Sequence, residues 1–355
     1  MAKIRRMFPG GNTSQGFYSL HDNIIGANRN MLYILKGMPG GGKSSLMREI
    51  GRRAIEEGYM VEYHHCPSDP NSIDGVVIRE LNIGIIDGTP PHSMDPIYPG
   101  LTDKLIDLTR FIDTTKLQKY KEQIINAKLN NKEAYRKAFN YFKAAKCIYD
   151  EIEESNKKHV NVIERNNAIR VAMENIFDIE SKAIKDTGFK TRKLFSTAYT
   201  PEGYIDYTEF ILEDINNRYY LQGDIGTGKS KFLNKIVEEA NLRNYYIEIY
   251  YNSLIPNKIE SIFIPEIDII VSSNITTKKF PHTIIDFNQF FDNSYNNQDD
   301  YQAYESLIDR GVKGLKGAKE NHSILEKTYK KVVDYKGIDE EREKIWEEIK
   351  VYFKG

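Results

Sequence analysis

Short, continuous apolar runs alternate with helix-period stretches, and the alternation occurs twice along the 355-residue chain. Met31–Leu35 and Arg218–Leu221 read as buried strands, and Leu46–Glu56 and Phe232–Leu242 read as the helices that follow them. Further along the first stretch, Val61–Cys66 reads as a second strand, Ser72–Glu80 as a brief crossover helix, and Ile83–Ile86 as a third strand ending in Asp87. Strands alternating with helices predict βαβ units and a parallel sheet covered on both faces. Ligands bind such sheets beyond the carboxyl ends of the strands, which draws attention to the segment after Ile86.

Each α/β stretch is followed by a polar tail with helical periodicity. Tyr135, Ala138, Phe142, Ala145, Tyr149 and Ile152 recur at spacings of three and four, forming one apolar face of a long helix. A second helix follows through Ile163, Ile169, Met173 and Ile176, which predicts a helical hairpin. The later tail repeats the plan with Tyr304, Ile308, Leu315, Ala318, Leu325 and Val332, then Ile345, Trp346 and Ile349. Packing of each hairpin on itself or on the cores is expected, with a partner-binding or dimerising arm as the alternative.

The candidate chemistry lies between the strands and helices. Gly37-Met38-Pro39-Gly40-Gly41-Gly42-Lys43-Ser44 and Gly223-Asp224-Ile225-Gly226-Thr227-Gly228-Lys229-Ser230 both match G-x-x-x-x-G-K-[ST]. In this motif, backbone N–H groups turn inward around phosphate oxygens, the Lys reaches the terminal phosphates, and the Ser hydroxyl ligates Mg²⁺. The following helix N-terminus, where Ser45 and Lys231 stand, adds orphan N–H groups and a favourable dipole. ATP, or another NTP, and Mg²⁺ are therefore the expected cofactors.

One shift of 186 residues aligns 37–89 with 223–275 without a gap, and 15 of those 53 pairs are identical. That similarity marks an internal duplication. Arg5-Arg6-Met7-Phe8 also parallels Arg192-Lys193-Leu194-Phe195, and Thr13-Ser-Gln-Gly16-Phe17 parallels Thr200-Pro-Glu-Gly203-Tyr204. Downstream, Ile106–Asp113 parallels Ile285–Asp292 after a shorter loop. The expected fold class is α/β: two duplicated P-loop NTPase cores with parallel sheets, each followed by a helical hairpin. The predicted repeats are 1–187 (core 1–113, tail 114–187) and 188–355 (core 188–292, tail 293–355), and the two could pack as a pseudo-dimer.

The repeats differ where chemistry is decided. Asp87 ends an apolar strand one step after the first loop, the Walker B pattern in which a carboxylate helps to hold Mg²⁺. The same alignment puts Ser273 opposite Asp87, with Asp268 and Asp286 as alternative carboxylates. The metal candidates are thus Ser44, Asp87 and Ser230, and the catalytic candidates are Lys43, Asp87 and Glu62. Glu62, matched by Glu248, is the candidate polarising carboxylate because Asp87 is followed by Gly88-Thr89 rather than Glu; a paired strand residue is the competing reading. His65 and His92 are further candidates. Pseudo-twofold packing could bring Arg5, Arg6, Arg110 or Arg192 across as an arginine finger.

Composition narrows the function classes. With 50 Lys and Arg against 51 Asp and Glu, no global field draws nucleic acid or acidic lipid. Two cysteines cannot make a disulfide framework, and no apolar run approaches a membrane span, so a cytoplasmic protein with no membrane association is expected. His64, His65, Cys66 and His92 invite a zinc reading, but the first three are adjacent on one strand and point to alternating faces, against the spaced ligands of zinc sites, so zinc is not expected.

The two loops, Cys66-Pro-Ser-Asp69-Pro70-Asn71-Ser-Ile73-Asp74 and Ile86-Asp87-Gly88-Thr89-Pro-Pro-His92 resemble tandem P-loop ATPase-like proteins of spore-forming, low-GC Gram-positive bacteria. The resemblance covers nearly the whole chain and implies NTP binding and ATPase activity. It carries roles onto Lys43, Ser44, Asp87, Lys229 and Ser230 only. Three readings remain: a slow Mg-dependent ATPase working mainly in repeat 1 with a regulatory or structural site in repeat 2, a small-molecule phosphotransferase, or a non-hydrolysing nucleotide-dependent scaffold with protein partners at the hairpins. Adenine is the default base, because no N-K-x-D signature occurs.

Overall fold

The computed structural model describes residues 3–292, 295 and 297–353. Residue 293, where the second tail was expected to begin, and the chain ends lie outside the described residues. The first half runs β1 (Ile4–Met7), β2 (Gly10–Thr13), β3 (Gly16–Ser19), β4 (Met31–Lys36), α1 (Lys43–Glu56), β5 (Val61–His65), β6 (Ile73–Ile78), β7 (Ile83–Asp87), β8 (Asp103–Asp107), α2 (Thr114–Leu117), α3 (Lys121–Lys157) and α4 (Val162–Phe177). The second runs β9 (Thr191–Leu194), β10 (Thr197–Thr200), β11 (Gly203–Asp206), α5 (Glu209–Leu212), β12 (Asn217–Gln222), α6 (Lys229–Leu242), β13 (Ile247–Tyr251), β14 (Ile259–Ile264), β15 (Ile269–Ser272), β16 (Thr283–Asp286), α7 (Gln298–Tyr329) and α8 (Tyr335–Lys350).

Each half builds one six-stranded sheet, ordered β1-β5-β6-β7-β4-β8 and β9-β13-β14-β15-β12-β16. The duplication is complete at this level, but neither sheet is purely parallel as expected. Ile73–Ile78, read as part of a crossover helix, is strand β6, antiparallel to both β5 and β7. All six of its residues are buried, and the β-branched Val76-Val77-Ile78 favours strand over helix. The following turn needs a left-handed residue, supplied by Asn82 at φ 51° and by Asp268, also φ 51°, in the second half.

The hairpins are exchanged between the halves. Ile338, Ile345, Trp346 and Ile349 of α8 enter the core formed by β4, α1 and β5 of the first half. Ile169, Ile176 and Phe177 of α4 enter the corresponding core of the second half. Ion pairs extend the seam: Arg53 meets Glu343 at 2.7 Å, and Tyr33 Oη donates to Glu348 at 3.0 Å. The two elbows are tied down alike. Asn161 and Asp334 cap α4 and α8, while their backbone N–H groups donate to Phe290 O and Phe111 O of the opposite core, each at 2.8 Å.

Between the cores, α3 and α7 cross antiparallel with very close backbones. A Cβ on Gly311 would fall 2.2 Å from Phe142 Cε1, and one on Gly314 would fall 2.9 Å from Ala138 Cα. Where β1 and β9 approach each other, Phe8 and Phe195 exchange backbone hydrogen bonds of 2.8 and 3.0 Å. Beside them lie four buried charges. Arg5 reaches Glu248 at 2.7 Å and Glu62 at 3.3 Å, while Arg192 reaches Glu62 at 2.7 Å and Glu248 at 3.4 Å. Burial works against the Glu248 carboxylate, yet Arg5 and Arg192 outweigh it and hold its pKa at about 2.

Replacing Arg192 with Met leaves buried carboxylates short of a cation. Chemical denaturation should register a loss of about 3–5 kcal/mol. Gly311→Ala would ordinarily favour a helix by roughly 0.5–1 kcal/mol. Here the added methyl meets a fully buried ring, so the substitution should lower the melting temperature, with a net cost of about 1–3 kcal/mol.

Candidate functional site

Both glycine loops leave the carboxyl end of a central strand, β4 or β12, and turn directly into a helix. The turn uses left-handed glycines at matching positions: Gly40 and Gly42 at φ 74° and 79°, Gly226 and Gly228 at φ 83° and 124°. Lys43 and Lys229 open their helices and fold back over the loops. Lys43 Nζ donates to Met38 O at 3.0 Å; Lys229 Nζ donates to Asp224 O at 3.0 Å and to Gly223 O. Burial lowers the Lys229 pKa to about 8 against the opposing pull of Asp224.

Asp87 belongs to the first loop. It pairs in register with Leu35 at the end of β4, and its Oδ2 is 3.5 Å from Lys43 Nζ. Its Oδ1 accepts from Thr89 N at 2.9 Å, which fixes the carboxylate. Ser44 opens α1 beside Lys43, and its Oγ accepts from Ile73 N at 3.1 Å. In the second half, Ser273 donates to Glu260 O at 3.1 Å and brings no carboxylate. Asp268 is in the turn entering β15, at the opposite end of the sheet from the loop, where it accepts from Asn216. Asp286 ends β16 on the loop side, held by Gln222 Nε2 at 2.9 Å.

Glu62 is not at either loop. It is fully buried in the charge cluster, two strands removed from β4 across β6 and β7, so its carboxylate serves the junction and not a nucleophilic water. The four arginines considered as fingers are engaged elsewhere too. Arg5 and Arg192 belong to that cluster, Arg6 lies over the Tyr63 and Phe210 rings, and Arg110 pairs with Glu341.

What reaches each loop from across the molecule is the elbow of the exchanged hairpin. Tyr335 Oη donates to Gly40 O at 2.8 Å, and Asn156 Nδ2 donates to Ile225 O at 2.8 Å. A Cβ on Gly40 would lie 2.8 Å from Glu326 O, and one on Gly226 would lie 2.7 Å from Glu153 O. These matches fix the hairpin correspondence as a shift of 173 residues, from 153 to 326. Under that shift Arg165 of α4 corresponds to Ile338 of α8, and each side chain abuts the last glycine of a loop. Arg165 Cδ is 2.6 Å from where a Gly228 Cβ would be, and Ile338 Cγ2 is 3.3 Å from that of Gly42.

Arg165 was not among the residues expected to act. It is only 8% exposed, its Nε has no hydrogen-bond partner among the described residues, and its Nη2 donates to Asn166 at 3.2 Å. Burial lowers its pKa, and no carboxylate compensates. It borders a cavity of about 670 Å³ that also takes in Lys157, Lys229, Ser230 and Lys231. One signal was available: Arg165 is four residues before Ile169, so it interrupts an apolar stripe.

The chain matches no protein-family model, no curated protein and no solved structure. The local geometry therefore has to carry the functional reading alone. The first loop combines a lysine, a serine and an aspartate, whereas the second combines a lysine, a serine and an arginine from the other half. Both sets can meet a polyphosphate. Among the described residues, only the first includes a carboxylate paired with its lysine.

A bound polyphosphate favours the charged form of Lys229 and so raises its pKa. In a Lys43→Ala background, binding of ATP should take up a proton near pH 8 through this residue and none near pH 6. Calorimetry in buffers of different ionisation enthalpy measures the uptake, and Lys229→Arg should remove it while keeping affinity. Arg165→Ala should weaken the same binding by about 1.5–3 kcal/mol, the scale of one charged hydrogen bond.

Proposed function

We propose that the protein is a tandem P-loop nucleotide-binding protein. Each half holds ATP or a related NTP between its own glycine loop and the elbow of the opposite hairpin. The observation that carries this reading is the pair of loop lysines, each folded over a loop with matching left-handed glycines. A resemblance to tandem P-loop ATPase-like proteins agrees with it.

The two sites have different duties. At the first, Lys43 neutralises the terminal phosphates, and Ser44 and Asp87 are the groups that would hold Mg²⁺. When bound, Mg²⁺ screens phosphate charge and favours displacement at phosphorus. Asp87, already fixed by Thr89, keeps its carboxylate beside Lys43 as charge changes during turnover. With Glu62 committed to the junction, no other candidate carboxylate polarises water, so turnover is slow. At the second site, Ser230 would ligate Mg²⁺ without a neighbouring Asp, and Arg165 offers a charged donor to phosphate oxygens from the other half. That arrangement favours retention over hydrolysis, so the second nucleotide is regulatory or structural.

Non-hydrolysing binding is the second reading, favoured by the same missing carboxylate. Phosphate release from Mg·ATP separates the two. Lys43→Ala should lower release at least about 100-fold, the loss of a charged contact made mainly in the transition state, while Lys229→Ala leaves most of it. Equal losses would overturn the division of duties, and tight ATP retention with no release would establish the scaffold.

A further inference from the structure

A second group of functional side chains lies beneath the first sheet's loop end, away from Lys43. His21 follows β3, Asp74 is on β6, and His92 lies five residues past Asp87. They are 4%, 4% and 9% exposed. Asp74 Oδ2 is 3.5 Å from His21 Nε2 and 3.8 Å from His92 Nε2, and the three potential donor atoms lie within 4.8 Å of one another. These separations are too long for hydrogen bonds. His21 Nε2 and Asp74 Oδ2 accordingly have no hydrogen-bond partner. Two buried polar atoms converge with His92 Nε2 without a hydrogen bond between them, and leaving such groups unsatisfied is costly.

The outer nitrogens explain the direction of the inner ones. His92 Nδ1 is 3.0 Å from Asp87 O, an acceptor only, so Nδ1 carries the proton and Nε2 of the neutral ring presents a lone pair. His21 Nδ1 is held by Ser19 Oγ at 2.9 Å. Such outer contacts orient metal-bound imidazoles. A tetrahedral ion with bonds of about 2.0–2.2 Å needs donors roughly 3.4 Å apart. The two separations from Asp74 Oδ2, 3.5 and 3.8 Å, are close to this, and all three donor atoms lie within 4.8 Å of one another, so binding requires the His21–His92 stack, with ring centroids 4.1 Å apart, to adjust.

We propose that His21, Asp74 and His92 bind a divalent first-row transition ion, Zn²⁺ being the probe of choice. Two imidazoles and one carboxylate suit such an ion better than Mg²⁺ or Ca²⁺, which prefer all-oxygen sites. The site is confined to the first half. Under the repeat alignment His21 and Asp74 correspond to Thr208 and Glu260, and His92 lies in the loop that is shorter in the second half. Because His92 grips the Asp87 carbonyl, an ion here also braces the segment that carries Asp87. The ion site stands on its own donors and does not depend on nucleotide binding.

The test is metal content and affinity of the full chain. Purified protein loaded with Zn²⁺ and passed over a desalting column should retain one ion, and competition with a chromophoric chelator gives its affinity. His21→Gln and His92→Gln, which keep the side-chain bulk, should each weaken binding at least about 100-fold, while Thr208→Val in the second half changes nothing. Zinc absorption-edge spectra should show nitrogen and oxygen ligands without sulfur. Retention of no ion by wild type, undiminished affinity in both glutamine variants, or a sulfur ligand would overturn the assignment. Circular dichroism of the variants keeps loss of fold distinct from loss of ligand.

Discussion

Four buried charges decide how the two halves meet. Arg5, Arg192, Glu62 and Glu248 are each contributed by a duplicated position, and each arginine touches the carboxylate of its own half and that of the other. Such a cluster adds little net stability, because desolvation cancels much of the attraction. Its effect is on alternatives. Sliding one sheet along the other while the cluster stays buried would leave a charge without its partner, so the cluster disfavours other registers of the junction. With the register fixed, the chain leaving each core has one direction to go, and each hairpin arrives on the opposite core.

The exchange turns two adjacent domains into a closed unit. A glycine loop alone offers backbone N–H groups and a lysine, but the face turned away from its own helix is completed by the other half. Tyr335 and Ile338 complete the first site, and Asn156 and Arg165 complete the second. Any change in loop shape on one side is therefore felt by the α3–α7 pair, where Gly311 and Gly314 leave no space to absorb it.

Much of this was legible in the sequence, and what was missed has physical causes. Glycine spacing fixed the loops, and the 186-residue shift fixed the equivalence of Asp87 and Ser273, which the strand register repeats. The Ile73–Ile78 strand was misread because six residues are too few to distinguish a buried strand from a helix by period. The hairpin exchange was invisible because an amphipathic stripe states that a core exists, not whose core it is. Glu62 looked available because a charged residue repeated on a strand gives no hint of arginines 57 and 130 residues away. His21 went unnoticed for the same reason, being far in sequence from both Asp74 and His92. Arg165 was the missed opportunity, since a charge within an apolar stripe is already an anomaly.

Covalent linkage of the two halves has its own consequence. Two separate copies of one half, closing by the same hairpin exchange, would form a symmetric dimer, and symmetry would force both sites to be identical. Every substitution would then act twice, so a residue gained for catalysis at one loop would also have to be tolerated at the other. Joined in one chain, the halves escape that constraint. Asp87 can face Ser273, Arg165 can face Ile338, and a histidine pair can exist on one side only. The shared architecture is thereby free to carry different side chains at its two glycine loops.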